Sequence, residues 1–151
     1  MRLDLLTRPE LIFPRLAGSD RSSILRAFAE RMAERAVVAD AERLYQRLWE
    51  REQLGSTGIG AGVAIPHCKM NGLDQVVLAI GIARDGVDFG AVDGQEVHVL
   101  FLLISPSDSP AEHLQSLAAI SRWVRADHHL DQILALDTRE EIYELLGRES
   151  G

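Results

Sequence analysis

Two short apolar runs constrain this chain more than anything else in it: residues 76–83 (VVLAIGIA) and 97–104 (VHVLFLLI). A transmembrane helix needs about 20 consecutive apolar residues, so neither run spans a bilayer. Their length and their content of Val and Ile read as β-strands buried at the centre of a sheet. The intervening DGVDFGAVDG supplies turn residues and room for a short edge strand. A sheet apolar on both faces needs cover on both faces.

The flanking sequence supplies that cover as amphipathic helices. Ser22 is placed to cap a helix running to about Ala36, with Ile24, Leu25, Phe28 and Met32 on one face. A second helix is expected over 40–52, where Ala41, Leu44, Tyr45, Leu48 and Trp49 form one stripe. Ser109-Pro110 opens a third, with Glu112 completing a capping box and the helix continuing to about Ala126. A short helix at 129–136 and a last one from Thr138, boxed by Glu141, finish the chain. Leu11-Ile12-Phe13 reads as an early edge strand, and Val63-Ala64-Ile65 as a short strand ended by Pro66. The expected fold is α/β, a mixed β-sheet flanked by helices on both sides in a three-layer sandwich, with residues 1–151 as one domain.

Composition narrows the function. With 46% hydrophobic and 26% charged residues the chain can bury an ordinary core. A net charge of -7 without a basic cluster removes the counterion-release term that drives nucleic-acid binding, and disfavours anionic membranes. Cys68 is the one cysteine, so no internal disulfide exists. The first residues, MRLDLLTRPE, are unlike a signal peptide, and a cytoplasmic location is expected.

The chemistry concentrates between Arg51 and Lys69, in REQLGSTGIGAGVAIPHCK. Glycines let backbone amides approach an anion, and an arginine forks hydrogen bonds onto phosphate oxygens. His67 follows a strand and a proline, and a neutral imidazole nitrogen is a competent nucleophile for in-line phosphoryl transfer. His113 falls one turn into its helix, near the partially positive end, where a histidine tends to stay neutral. There it could donate a hydrogen bond to a phosphoryl group on His67, although the sequence does not show that the two are close. Plainer readings stand beside these: an ordinary glycine turn, a surface histidine, a solvated Arg51, and a His113 bordering the core. His98, between Val97 and Val99, reads as a packed strand residue.

Other chemistries are excluded by spacing. GSTGIGAG lacks the Gly-Lys-Ser/Thr of a Walker loop and the spacing of a dinucleotide fingerprint. No histidine pair has zinc-ligand spacing, and His128 and His129 are adjacent residues that diverge. His67 and Cys68 point to opposite faces of extended backbone, which leaves Cys68 a small packed thiol.

The segment GSTGIGAGVAIPH resembles the active-site signature of the type-2 enzyme IIA domains of the bacterial phosphoenolpyruvate-dependent phosphotransferase system. These are the fructose/mannitol enzyme IIA domains and their nitrogen-regulatory relatives. The resemblance extends over essentially the whole chain, including Arg51-Glu52 and HLQSLAAIS around His113. It implies a phosphotransferase component in which His67 accepts a phosphoryl group, on Nε2, from the phosphohistidine of HPr or an HPr-like carrier. It further implies Arg51 and His113 as electrostatic and hydrogen-bonding partners, Ser56, Thr57 and Gly58 in the phosphate-binding loop, and no metal or organic cofactor. Ala61 stands where many members have asparagine, and Cys68 where a small residue is common. With no fused HPr, enzyme IIB domain or membrane segment, the chain is expected to be a regulatory phosphocarrier of the nitrogen type, addressing a regulatory target protein. The alternatives are the soluble enzyme IIA of a fructose/mannitol-type sugar transporter, working with a sugar-specific enzyme IIB, and a binding module that is not phosphorylated.

Overall fold

The computed structural model describes residues 1–126 and 128–148. Two single-turn 3-10 helices, Leu3–Leu6 and Pro9–Leu11, lead into β1 (Ile12–Phe13). Helices α1 (Arg21–Glu34) and α2 (Ala41–Gln53) follow, then strands β2 (Gly58–Gly60), β3 (Val63–Ala64), β4 (His67–Met70), β5 (Val77–Val87) and β6 (Val97–Pro106). Helices α3 (Pro110–Arg125), α4 (His129–Leu134) and α5 (Arg139–Arg148) close the described chain.

The six strands form one mixed sheet in the order β1-β5-β6-β3-β2, with β4 also paired to β6. The two long apolar runs are its centre, antiparallel to each other, while β1, β3 and β4 join in parallel. Their side chains alternate between two cores as a two-residue period demands. Leu100, Leu102 and Ile104 pack with Ala79 and Ala83 under α1 and α2. Val99, Phe101 and Leu103 pack with Leu78, Ile80 and Ile82 under α3 and α5. The expected three-layer α/β arrangement is therefore the one found. Side chains press on the sheet at Gly81: a Cβ there would lie 2.7 Å from Leu16 and 3.1 Å from the Phe28 ring of α1.

Several local expectations are corrected. Helix α1 is capped by Asp20, whose carboxylate accepts from Ser23 N at 2.8 Å, while Ser23 Oγ accepts from Asp20 N. Ser22 lies inside the first turn, and its hydroxyl meets Tyr45 Oη at 2.6 Å. Ser109 holds the cap position of α3 without a side-chain cap bond. Its ψ of 55° leaves the extended range that cap residues favour, so the expected box with Glu112 does not form. The box of Thr138 and Glu141 does form.

The glycine stretch is not wholly irregular, because Gly58–Gly60 pairs with β3 across a tight turn. Strand β5 runs on to Val87 through a bulge after Ile82, with Gly86 at φ +79°. The expected edge strand beyond it is absent: Asp88 and Asp93 cap the amides of Gly90 and Gln95 as turns.

Pro66 does not end the pairing. Its carbonyl accepts from Leu103 N at 3.0 Å. The register of Val63 opposite Val99 resumes unchanged as His67 opposite Leu103. Proline removes one donor, and β4 carries on along the same side of β6.

Candidate active site

The unbroken register determines where His67 points. Cys68 and Met70 face the α1/α2 core, so His67 faces the α3 side, in line with Val63 and Ile65. Ser105, two residues beyond Leu103 on β6, faces the same way. It meets α3 at His113, with Ser105 Oγ 2.6 Å from His113 Nδ1. The rings of His67 and His113 lie with centroids 5.5 Å apart. Among the described residues strand β4 pairs only with β6, which leaves its outer edge to the end of α2. From there Arg51 Nε donates to His67 Nε2 at 3.2 Å, and Nη1 of the same side chain donates to Gly55 O at 2.9 Å.

Hydrogen bonding fixes the His67 tautomer. Nδ1 lies 2.7 Å from the Ile65 carbonyl, which only accepts, so Nδ1 carries the proton. Nε2 therefore presents its lone pair, the acceptor that Arg51 requires. Burial holds the His67 pKa below the ordinary histidine range, helped by the Arg51 charge and opposed by the Ile65 bond. His113 is lowered further, to about 4, by burial and then by the charges of His67 and Lys69. Both imidazoles are neutral near pH 7, in a site whose cations are Arg51, Lys69 and Arg47.

An open depression surrounds the pair, lined by Arg47, Arg51, Leu54, Lys69 and Leu114 among others. Leu54 and Leu114 are largely exposed on its rim. A neutral nitrogen nucleophile with a guanidinium beside it suits a phosphoryl group, whose oxygens need positive charge and whose phosphorus needs a lone pair.

The structure thus brings Arg51, His67 and His113 together. Ser56, Thr57 and Gly58 do not line this depression. Ser56 Oγ donates to Phe89 O and accepts from Gly58 N. Thr57 bonds through both its amide and its hydroxyl to the Glu52 carboxylate. The Thr57 carbonyl accepts from Ile65 N at 2.9 Å, and Ile65 O in turn holds His67. The loop touches the site through this relay. Ala61, at φ +57°, occupies a left-handed conformation that asparagine tolerates better than alanine.

Two residues of this architecture were not singled out as site residues from the sequence. Glu52 is 2% exposed, and burial raises its pKa against the pull of Thr57, Arg21 and Arg51. Ser105 is fully buried beneath His113. Ser105 could have been found by two-residue alternation back from the apolar run; the burial of Glu52, in the last turn of a polar helix end, has no sequence signal. Cys68 is buried, its thiol pushed up to about 12. His98 lies 3.2 Å from Ala83 O as a strand residue. His129 is buried and stacked on Trp123, whereas His128 is exposed, so the two diverge as expected.

The chain is 32% identical over 146 residues to a nitrogen regulatory protein of Pseudomonas aeruginosa, covering 97% of this chain and 95% of the relative. It is 34% identical over 142 residues to one from Bradyrhizobium diazoefficiens, covering 93% and 92%. The crystal structure of nitrogen regulatory protein IIA-Ntr from Neisseria meningitidis superposes with a TM-score of 0.87 at 26% identity, covering 95% and 97%. The IIA mannitol protein of Escherichia coli shares the fold, with a TM-score of 0.76 at 19% identity over 92% and 97%. Residues 5–149 match the family described as phosphoenolpyruvate-dependent sugar phosphotransferase system, EIIA 2, and the chain belongs to that family.

Proposed function

We propose that this chain is a phosphocarrier that takes a phosphoryl group onto His67 Nε2 and serves as a regulatory, nitrogen-type enzyme IIA. The observation that carries this reading is the His67 ring itself: Nδ1 protonated against Ile65 O, and Nε2 an open lone pair beside Arg51. The donor is the phosphohistidine of HPr or an HPr-like protein. Its N–P bond breaks, with the electron pair returning to the donor nitrogen, as the Nε2–P bond forms in line. Nδ1 keeps its proton, and the Ile65 carbonyl stabilises the positive charge that develops on the ring. Arg51 turns from Nε2 onto the phosphoryl oxygens, and His113 Nε2–H donates to one of them. For that, His113 Nδ1 accepts from the Ser105 hydroxyl, which fits their 2.6 Å separation.

Transfer sets a phosphoryl group carrying up to about two negative charges at the surface, against one positive charge on the ring behind it. On a surface rimmed by Leu54 and Leu114, that change is large enough to exchange one protein partner for another. The regulatory assignment is supported by the nitrogen regulatory relatives, which exceed 30% identity over nearly the whole chain. We place the protein among cytoplasmic components and read residues 1–151 as one domain. The second reading, a transporter component handing phosphate to an enzyme IIB, is favoured by the 29% identity to a fructose-specific EIIA component of Haloferax volcanii.

A phosphorelay tests the proposal. The protein is mixed with phosphoenolpyruvate, enzyme I and HPr and read by intact mass beside His67→Ala. The expected result is an acid-labile gain of one phosphoryl group in the parent and none in the variant. Equal phosphorylation of the variant overturns the assignment. Rapid onward transfer to a fructose-type enzyme IIB would favour the transporter reading.

A further inference from the structure

A second concentration of positive charge, apart from the His67 site, lies at the far edge of the sheet. Strand β1 forms one edge, separated from β4 by β5 and β6. Where the chain leaves β1, a groove of about 510 Å³ opens between that exit, α1 and the start of α5. Arg15, Arg31, Arg35 and Arg139 line it, with Asp137 as the single carboxylate and Phe13 at its floor. It shares no lining residue with the depression around His67. Four arginines facing one acid are unexpected on a chain of net charge -7.

Three features show that these guanidinium groups are only partly matched by carboxylates within the fold. Arg15 reaches Asp137 only at 3.9 Å, between two well-exposed side chains, and such pairs contribute little. Arg31 contacts Glu34 through Nη2 at 3.3 Å, while its Nε is shielded from water without an acceptor. Arg35 gives Nε to the Glu10 carbonyl and lies over Phe13, and neither it nor Arg139 pairs with a described carboxylate. Arg139 also opens α5, where the helix dipole disfavours a cation. An anion in the groove would give the guanidinium groups that line it a counter-charge.

The groove is also held open. Arg84 donates to the carbonyls of Pro14, Leu134 and Leu136, fixing the β1 exit against the segment that carries Asp137 and Arg139. Its size lies in the range of small-molecule sites, and its floor is apolar.

We propose that this groove binds a small polyanion of the phosphorylated-metabolite class, with the four arginines holding phosphate oxygens and the Phe13 floor supporting the organic part. Such a site gives the chain an input separate from His67.

The test is a titration of the 15N-labelled protein with inorganic pyrophosphate and with adenosine 5′-diphosphate, using adenosine as the uncharged control. Saturable shifts at Arg15, Arg31, Arg35 and Arg139, half complete below about 1 mM, are expected with one or both anions and not with adenosine. Pyrophosphate binding would show that phosphate is the recognised group; binding of the nucleotide alone would show that the floor contributes. Arg31→Gln with Arg139→Gln should weaken binding by about tenfold or more. Asp137→Asn, a change at an exposed side chain, should tighten it. Arg51→Gln should leave the groove shifts in place, which separates them from any anion at His67. Absence of saturation by about 10 mM, shifts abolished by Arg51→Gln, or affinity indifferent to both arginine substitutions would overturn the proposal.

Discussion

The proton on His67 Nδ1 decides what the rest of that side chain offers. Held on the Ile65 carbonyl, it leaves Nε2 with the free lone pair, and burial keeps the ring neutral to lower pH than a free histidine. His113 obeys the same logic more strongly, and its shift from 6.5 to about 4 carries a stability consequence. Below 6.5 the unfolded chain takes up a proton on this histidine that the folded chain refuses. Unfolding then binds the proton, and stability falls as pH drops from 6.5 towards 4. Denaturant melts across that interval should show a slope that His113→Gln reduces. A parallel slope in the variant would mean that other groups dominate. The pairing of His67 with His113 could not be read from the sequence, since 46 positions separate them and the sheet register brings them together.

At the level of elements, the glycine stretch works through its hydrogen bonds more than through direct contact with the depression. Thr57 ties the loop to the buried Glu52 at the end of α2 and, through its carbonyl, to Ile65 on the way into β4. Thr57→Val keeps the shape, the amide and the carbonyl but removes the hydroxyl donor from a buried carboxylate. We expect a loss of about 1–3 kcal/mol of stability. We also expect slower phosphoryl uptake, through a shift of the Ile65 carbonyl, measurable by chemical denaturation and by the rate of mass gain. Unchanged values of both would mean that Glu52 is satisfied by its amide bond and Arg21 alone. The central strands, the α2 stripe and the Thr138 cap were legible because apolar period and capping chemistry are local. Strand β4 was not legible, because a proline normally signals an end. Here Pro66 needed only its carbonyl to keep the ladder in register. The cap at Asp20 was missed because Asp20 and Ser22 are both competent caps; the Asp20–Ser23 box and the tertiary bond of Ser22 to Tyr45 distinguish them.

Over the whole molecule, one mixed sheet separates two kinds of surface. The side at β4 carries neutral histidines under a cation, ringed by exposed leucines. The side at β1 carries four arginines, only partly matched by carboxylates, over an aromatic floor. Overall charge and composition placed the chain among ordinary globular proteins, but they concealed the second surface, since four arginines scattered from 15 to 139 vanish in a net charge of -7. The central claim concerns one atom at the first surface. The direct measurement is a 31P–15N correlation spectrum of the phosphorylated, histidine-labelled protein. The account predicts phosphorus bonded to Nε2 of His67, with Nδ1 still protonated. Phosphorus on Nδ1, or on any other residue, would contradict it.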